Sequence, residues 1–411
     1  MSTGTARAVG TSPEPEARHC PFSQPAALEF DPLLRQLREE APVTRITLPH
    51  GAGWAWLVTR YQDVRTVVTD HRFSRAGGVG RDLPRMTPEP IAQPDAVNLM
   101  DPPALSRLRR LAAQGFTTAQ IARMTPGIQA VVDRLADGIA AHGAPADFAR
   151  LFAAPLPLVT ICELMAIPTA DQAALRREVV TLMAIDSGAQ AAREAKAALR
   201  AYFLELAAER RAHPGDDLVS TLALARDGDE RLDRTELAAM SLTLTVAGHD
   251  TSTYQLSNIL YTLLTHPGQL ALLRARPALL APALEELLRF IPFRQGVGIA
   301  RVATQDVRLG GVTIRAGDAV HVSYLAANRD PRAFPDPDEL DLERDRPAAH
   351  LTFGHGTHFC LGANLARAEL RIAFATLLAR FPGLRLAVPA DDVTWHAGSI
   401  WRYPEHLPIA W

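Results

Sequence analysis

The feature that most constrains this chain is the segment Phe353–Gly362, FGHGTHFCLG, which sets one cysteine among three glycines and two histidines. A proline-rich stretch precedes it, and the helical pattern ANLARAELRIAFATLLARF follows it from Ala363 to Phe381. Glycines allow backbone conformations that other residues resist and let the chain pass close to a flat ligand. Cys360 is therefore expected just before a helix N-terminus, where unpaired backbone N–H groups stabilise a thiolate.

The chain has three widely spaced cysteines, Cys20, Cys162 and Cys360, which make a poor disulfide framework. Cys162 lies in the apolar segment LPLVTICELMAI and is predicted to be a buried small side chain. The same role is disfavoured for Cys360, because a packed core seldom holds so many glycines and histidines together. A zinc site of His355, His358 and Cys360 is a second alternative, but no other cysteine lies at a suitable spacing.

Composition describes a globular protein with a large core: 411 residues, 47% hydrophobic and 21% charged. The formal net charge of -2 gives no global basic field for nucleic acid or an anionic membrane. No apolar run reaches the roughly 20 residues that span a bilayer, and the polar start has no signal-peptide core. We expect a mobile tail over residues 1–18, one unit over 19–411 and a cytoplasmic location.

Local patterns predict a mainly α protein with a small β portion. Segments 43–48 and 54–60 are predicted to form a hairpin, followed by a helix over 61–70. From residue 103 to 290 the pattern is almost entirely helical, and strand patterns return at 307–314 and 319–326. No composition change marks a boundary between separate domains.

Every defined position of FGHGTHFCLG matches F-G-x-G-x-[HR]-x-C-x-G, so the segment resembles the cysteine signature of the cytochrome P-450 family. The resemblance implies a single large fold, a triangular prism with haem b between two central helices. It also implies a monooxygenase that oxidises a small organic molecule with O2. Cys360 is the implied axial ligand of the haem iron. Phe353, Gly354 and Gly362 are implied to lie against the cofactor, and His358 is implied to bind a propionate.

The EELLRF segment places Glu286 and Arg289 on one helix face. Alone, such a pair is most simply a solvated ion pair of little energetic consequence. The segment resembles the family's E-x-x-R pair, which implies a buried structural network behind the cysteine loop. Arg344, in LERDR, is the expected third member, in preference to Arg329 in NRDP.

The AGHDTS segment weakens a strongly helical stretch, because Gly248 costs about 1 kcal/mol relative to alanine. It is either a kink without chemistry or a deliberate opening. Its resemblance to the family's [AG]-G-x-[DE]-T favours the opening, with Ala247 and Gly248 against the cofactor. Asp250 would relay protons and Thr251 would assist O–O cleavage. His249 occupies the variable position and is expected to point away.

Haem propionates need cationic or hydrogen-bonding partners. Arg301, in IARVATQDV, and Arg109, in DPPALSRLRRL, match arginines that the family uses for this purpose. The helix that carries Arg109 departs from the family pattern, because Leu105 occupies the position of a usual histidine. The simple alternative for each arginine is a surface charge.

The predicted substrate pocket is mostly apolar, which is the norm for such sites and selects no ligand. Its expected residues are Met86, Leu99, Val246, Phe293, Gln295, Val297, Ile400 and Trp401. Soluble members of the family often modify secondary metabolites, so hydroxylation of such a scaffold is predicted. The alternative is oxidative C–C or C–N coupling, for example of cyclic dipeptides, since RYPEHLPIAW is weakly similar to members acting on these.

No flavin or nicotinamide motif is present, so a ferredoxin with its reductase is the expected electron donor to a monomeric enzyme. Arg107, Arg110 and Arg367 form either a basic docking patch or a solvated helix face. A peroxide-driven enzyme is disfavoured because Asp250 and Thr251 are present. A haem-based gas sensor is disfavoured because one fold accounts for the chain.

Overall fold

The computed structural model describes residues 17–19, 25–87, 97–183, 188–294, 296–345, 348–397 and 400–411. The helices are α1 (Pro32–Glu40), α2 (Tyr61–Thr69), α3 (Ala104–Ala113), α4 (Thr118–His142), α5 (Pro155–Leu164), α6 (Thr169–Met183), α7 (Ala189–Ala212), α8 (Leu218–Leu224), α9 (Arg234–Thr265), α10 (Pro267–Ala275), α11 (Leu280–Phe290), α12 (Tyr324–Asn328) and α13 (Ala363–Arg380). The strands are β1 (Arg18–His19), β2 (Val43–Thr47), β3 (Ala55–Val58), β4 (Phe73–Ser74), β5 (Ala146–Asp147), β6 (Arg301–Ala303), β7 (Val307–Leu309), β8 (Val312–Ile314), β9 (Ala319–Val322), β10 (Arg385–Leu386) and β11 (Pro408–Ala410). The mainly α composition with a small β portion is as predicted.

The largest sheet has the strand order β1-β2-β3-β9-β6-β4. β2 and β3 form the predicted antiparallel hairpin, with Val43 opposite Val58. In its turn, Gly51 has a φ of +83°, and a Cβ there would lie 2.1 Å from the Leu83 oxygen. Only glycine satisfies both conditions. β9 joins β3 in parallel and β6 in antiparallel, so this sheet unites distant parts of the chain.

Some predicted segments differ from the structure. Residues 307–314 form two antiparallel strands, β7 and β8, rather than one. The strand predicted over 319–326 ends at Val322, because the Ser323 hydroxyl accepts a hydrogen bond from Ala326 N (3.1 Å) and caps α12. The predicted tail over residues 1–18 lies mostly outside the described residues, as does Cys20. Arg18 belongs to the sheet instead, since its backbone pairs with Ile46 in β1 and β2.

Helices α3 to α11 confirm the helical stretch predicted for residues 103–290, which β5 and a π-helical turn at Ala149–Ala153 interrupt. The longest of them, α9, begins at a capping box in which Asp233 and Glu236 each accept a hydrogen bond from the other's backbone N–H. It packs against α5, α7, α10, α11 and α13, and its apolar side chains belong to the largest hydrophobic cluster. None of the described helices is long and apolar enough to cross a membrane.

The C-terminal segment is anchored from two directions. The Arg402 guanidinium is buried and donates to the backbone oxygens of Glu29 (2.6 Å) and Pro25 (3.0 Å). From the other side, Asn258 on α9 donates to the Arg402 carbonyl at 2.8 Å. Arg402 is therefore held beside the C-terminal half of α9.

Candidate active site

The Cys360 loop runs from a 3-10 turn at Gly356–His358 into the start of α13. The Cys360 N–H donates to the Phe353 oxygen at 2.8 Å and closes the loop. Gly356 has a φ of +70°, and a Cβ there would lie 2.7 Å from the Val68 oxygen. Gly354 also has a positive φ, of +75°. The loop therefore needs glycine at both positions.

The Cys360 side chain is exposed, and several groups act on its thiol. Desolvation raises the pKa of this thiol, whereas the Gly362 backbone N–H, Arg109 and Arg367 lower it. The groups that lower the pKa are those that stabilise a thiolate. Cys162, by contrast, is buried as its apolar context predicts, and burial raises the pKa of its thiol to about 11.

The zinc alternative lacks a ligand set in the described part of the chain, where no group of three or more His, Cys, Asp or Glu side chains is arranged to hold a metal ion. His355 instead accepts a hydrogen bond from Arg65 Nε at 3.3 Å. A metal centre at Cys360 thus has a single protein sulfur to offer, and the remaining ligands must come from elsewhere.

Phe353 is fixed beside this loop by Arg367, whose guanidinium carbon lies 4.6 Å from the phenyl centroid. Arg367 Nε and Nη2 donate to the two Glu285 carboxylate oxygens at 2.6 and 2.8 Å. Burial would raise the pKa of Glu285, but hydrogen bonds from Arg367 and His350 lower it to about 2. The carboxylate therefore stays charged and keeps Arg367 against Phe353.

Glu286 and Arg289 are buried on α11, which excludes the solvated-pair alternative. Arg289 Nε and Nη2 donate to the Glu286 carboxylate at 2.8 and 2.7 Å. Arg344 Nε donates to Glu286 Oε1 at 2.9 Å, so Arg344 is the third member of this group. Arg329 pairs with Asp338 at 3.0 Å instead.

This network continues to the cysteine loop. Arg289 Nη1 donates to the Asn328 carbonyl at 3.0 Å. The Asn328 side chain accepts from Leu351 N (2.6 Å) and donates to Thr352 Oγ1 (2.9 Å). Thr352 immediately precedes Phe353, so the buried ion pair stabilises the backbone segment that leads into the cysteine loop.

On α9, the AGHDTS segment stays helical throughout. A Cβ on Gly248 would meet no atom within 4 Å, so open space adjoins the helix there. Thr251 Oγ1 donates to the Ala247 oxygen at 3.1 Å, and its lone pairs remain able to accept a proton donor. His249 is buried, with Nδ1 2.8 Å from Asp250 Oδ1.

Two predicted cations, Arg109 and Arg301, lie close to His358 of the cysteine loop. Arg109 Nη2 donates to the Phe359 oxygen at 2.5 Å. Arg301 is buried, and its Nη2 has no hydrogen-bond partner among the described residues. Burial lowers the pKa of His358 to about 3, helped by Arg75, Arg301 and Arg109. Such a concentration of buried positive charge fits an anionic group.

Comparisons with known proteins agree with this arrangement. A sequence model of the family described as cytochrome P-450 matches residues 161–384. Nocardicin C N-oxygenase of Nocardia uniformis subsp. tsuyamanensis is 46% identical over 96% of this chain and 99% of its own length. Mycinamicin IV hydroxylase/epoxidase of Micromonospora griseorubida is 42% identical, with 98% and 100% covered. The chain belongs to the cytochrome P-450 family.

A solved cytochrome P-450 designated mel, described as having biaryl coupling reactivity, is 59% identical to this chain. It superposes with a TM-score of 0.92, covering 96% of this chain and 100% of its own. The family, the fold and the oxidoreductase class predicted from FGHGTHFCLG are therefore confirmed.

The residues of this cytochrome P-450 fit a haem-thiolate cofactor. Cys360 presents an accessible sulfur at a helix N-terminus, as an axial ligand requires. The unpartnered Arg301 Nη2 is a donor suited to a carboxylate. An iron porphyrin with two propionates requires a soft ligand for its iron and cationic partners for its carboxylates, and this site offers both.

The predicted substrate pocket is assembled in part. Phe293 and Trp401 stack with ring centroids 5.2 Å apart, and the Arg294 guanidinium lies 4.8 Å from the Trp401 centroid. Val246 and Phe293 each pack against the largest hydrophobic cluster, whereas Met86 packs against a separate one. Leu99 and Ile400 are partly exposed. Val297 is only 3% exposed, so it lies behind the residues that could contact a substrate. Gln295 lies outside the described residues.

Two residues at the site are missing from the sequence-based set. Arg75 joins the cation group, and His249 contacts Asp250. No sequence signal identifies Arg75, because its burial depends on pairing between strands that are far apart in the chain. His249 lies inside a recognised motif, but it occupies the variable position, so the motif does not predict a role for its side chain.

Proposed function

We propose that this cytochrome P-450 binds haem b through Cys360 and hydroxylates a small secondary-metabolite scaffold with O2. The accessible Cys360 sulfur, with the Gly362 N–H directed at it, carries the proposal. When bound, the haem supplies O2 activation, and the overall reaction consumes one O2, two electrons and two protons to give one hydroxyl group and one water. Binding of the cofactor, orientation of the substrate and proton supply belong to residues of this chain.

The proposed haem contacts divide by chemistry. Arg109, Arg301 and His358 hold the propionates, because all three are hydrogen-bond donors in a buried basic environment. Phe353 limits water access to the sulfur, and Glu286, Arg289 and Arg344 keep the backbone behind it in place. The remaining proposed contacts offer small or absent side chains to a flat ring: Ala247, Gly248, Gly354 and Gly362.

Proton supply is proposed to run through Asp250 and Thr251. Asp250 is mostly buried and hydrogen-bonded to His249, so it can exchange a proton with a neighbour at 2.8 Å. Thr251 is fixed by its bond to the Ala247 oxygen, which orients its hydroxyl beside the open space at Gly248. A positioned hydroxyl next to a titratable pair is suited to hand over protons in sequence.

The substrate is proposed to contact the aromatic pair of Phe293 and Trp401, together with Met86, Leu99, Val246 and Ile400 around it. Gln295 belongs to the same proposal from sequence. Val297 is a buried member of the cluster on which Met86 packs, so it is proposed to set the shape of the pocket rather than to contact the substrate. Relatives named for nocardicin C and mycinamicin IV support a secondary-metabolite substrate.

Oxidative coupling is the second candidate, because the 59% identical structure is described as having biaryl coupling reactivity. Cyclic dipeptides remain one predicted class of substrate for C–C or C–N bond formation. Product mass separates the two reactions. Hydroxylation adds one oxygen atom, whereas coupling joins two substrate molecules, or closes a ring in one, with loss of two hydrogens.

Electrons are proposed to come from a ferredoxin and its reductase, since no flavin or nicotinamide motif is present. The enzyme is proposed to act as a cytoplasmic monomer whose residues 19–411 form one unit. A secondary-metabolite substrate and a separate small electron donor need no nucleic-acid or membrane contact.

The ligand assignment is tested by the absorption spectrum of the reduced protein with CO. We expect the band typical of thiolate ligation in the wild type and its loss in Cys360→Ser, because a hydroxyl is a far poorer donor to iron than a thiolate. Cys162→Ser is the matched control and should keep the band, since Cys162 is buried away from the loop. An unchanged band in Cys360→Ser would refute the assignment.

A further inference from the structure

Arg75 is placed by strand pairing rather than by any motif. It directly follows β4, in which Ser74 lies opposite Val302 and Phe73 opposite Ala303 of β6. Extending that antiparallel register by one residue sets Arg75 opposite Arg301. The sheet therefore brings two arginines together at the edge that faces the cysteine loop.

The Arg75 backbone is fixed by Asp101, just before α3. Asp101 Oδ1 accepts from Arg75 N at 3.0 Å, and Oδ2 accepts from Ala76 N at 3.3 Å and from the Ser74 hydroxyl. These bonds occupy both carboxylate oxygens of Asp101. They hold the start of the Arg75 side chain in one place, and the guanidinium extends from an ordered support.

The guanidinium itself is incompletely satisfied. Arg75 Nη1 donates to the Asn98 oxygen at 2.9 Å, but Nε is buried with no hydrogen-bond partner among the described residues. Burial, and then Arg301, lowers the pKa of Arg75 to about 9. Leaving a charged donor buried and unpaired is costly, so the arrangement calls for an anion.

Asp101 raises the pKa of Arg75, but its carboxylate oxygens accept from the Arg75 and Ala76 backbone N–H groups and the Ser74 hydroxyl rather than from the guanidinium. The electrostatic neighbours of Arg75 also include Arg301 and Arg109, and all three arginines act on His358. Arg301 Nη2 is a second buried donor without a partner among the described residues. Two orphaned donors on adjacent arginines, beside the cysteine that holds the cofactor, match one carboxylate group of that cofactor.

The α3 helix offers one donor fewer than the family resemblance implies. Leu105 is 1% exposed and apolar, so it donates no hydrogen bond where the family resemblance implies a histidine. From the same helix, one Arg109 donor is engaged with the Phe359 carbonyl. We propose that Arg75, together with Arg301, binds a haem propionate and supplies the contact that Leu105 cannot make.

This inference rests on haem binding in the proposed function, and it is tested by cofactor retention rather than by activity. The rate of haem transfer from the ferric holoprotein to excess apomyoglobin is measured for wild type, Arg75→Leu and Arg75→Lys. Arg81→Leu is the matched control, because Arg81 is an exposed arginine of the same loop whose Nη2 donates to the Gly317 oxygen.

We expect Arg75→Leu to lose haem about tenfold faster than wild type, the effect of removing one charge-assisted hydrogen bond. Arg75→Lys, which keeps the charge but not Nε, should fall between them, and Arg81→Leu should match wild type. Protein reloaded with haem dimethyl ester has no propionate charge. With it, Arg75→Leu and wild type should lose cofactor at rates within about twofold of each other.

Equal haem loss from Arg75→Leu and wild type would overturn the proposal. So would a tenfold difference that persists with the dimethyl ester, because Arg75 would then act through the fold. If Arg75→Leu does not fold, Arg75→Gln takes its place in both comparisons. Failure here leaves the CO band of Cys360 intact, whereas failure of haem-thiolate binding removes that band, so the two outcomes are distinguishable.

Discussion

Glu369 is an acidic side chain buried in α13, with only 4% of its surface exposed. Burial raises its pKa to about 8, and the nearby Thr160 and Ser252 hydroxyls offset part of that effect. The carboxyl is therefore mainly protonated at neutral pH. The helical pattern NLARAELRIAF indicates only that α13 is amphipathic or buried. The pattern does not predict that Glu369 faces α5 and α9, because the direction of this side chain depends on packing between helices.

Glu369 is predicted to make stability depend on pH. Its folded pKa lies above its ordinary value of 4.5, so its contribution is full below pH 4.5 and is lost as pH rises towards 8. The loss has a slope of up to about 1.4 kcal/mol per pH unit. Glu369→Gln, an isostere of the protonated acid, should remove this slope. The measurement is the free energy of denaturant unfolding between pH 5 and pH 8, with exposed Glu205→Gln as control. Parallel profiles for wild type and Glu369→Gln would contradict the prediction.

At the scale of elements, local pattern succeeded where an element is set by its own sequence. The β2–β3 hairpin and α13 are of this kind, because turn glycines and a long apolar periodicity specify them. β5 was missed because it has two residues and exists only by pairing with β11, where Ala146 lies opposite Ile409. α12 was missed because the cap at Ser323 ends a pattern that otherwise continues as strand.

The α9 helix gives the same lesson within one motif. AGHDTS identified Asp250 and Thr251 as candidates, but the position of His249 required the structure. Its ring lies against Asp250 on a helix that stays hydrogen-bonded throughout. The proton-handling group proposed on α9 is therefore three consecutive residues rather than two, and only two of them carry a recognisable signature.

Thr251→Ala is predicted to uncouple electron use from product formation. Loss of the hydroxyl removes one positioned proton donor, and such donors typically contribute about 100-fold or more to a rate. The measured quantity is product formed per pair of electrons taken from the ferredoxin, and it should fall several-fold. Thr251→Ser keeps the hydroxyl and should remain near wild type. Thr253→Ala, on the same helix, is the matched control. Full coupling in Thr251→Ala would remove this residue from proton delivery.

At the scale of the whole molecule, the three arginines considered for a basic docking patch are all paired. Arg107 bonds to Glu236 of the α9 capping box. Arg110 Nε lies 2.5 Å from Asp227, and Arg367 Nε lies 2.6 Å from Glu285. Sequence alone left patch and solvated face equally open, since it shows the arginines but not the carboxylates that fold beside them. Because Arg107 and Arg110 are paired with carboxylates, they are better interpreted as part of a solvated helix face than as a docking patch.

We therefore predict that Arg110 contributes little to docking of an acidic electron donor. Arg110→Ala should change the second-order rate of reduction by ferredoxin less than about twofold, because an exposed, already paired charge adds little attraction. The rate is measured by stopped flow at low and high ionic strength, with Arg123→Ala as a control on α4, away from the cysteine loop. Because exposed charges more than about 10 Å apart are largely screened at 0.1 M salt, the contribution of a real docking charge falls as salt rises. A loss of about tenfold in Arg110→Ala that disappears at high salt would show that Arg110 leaves Asp227 to meet its partner.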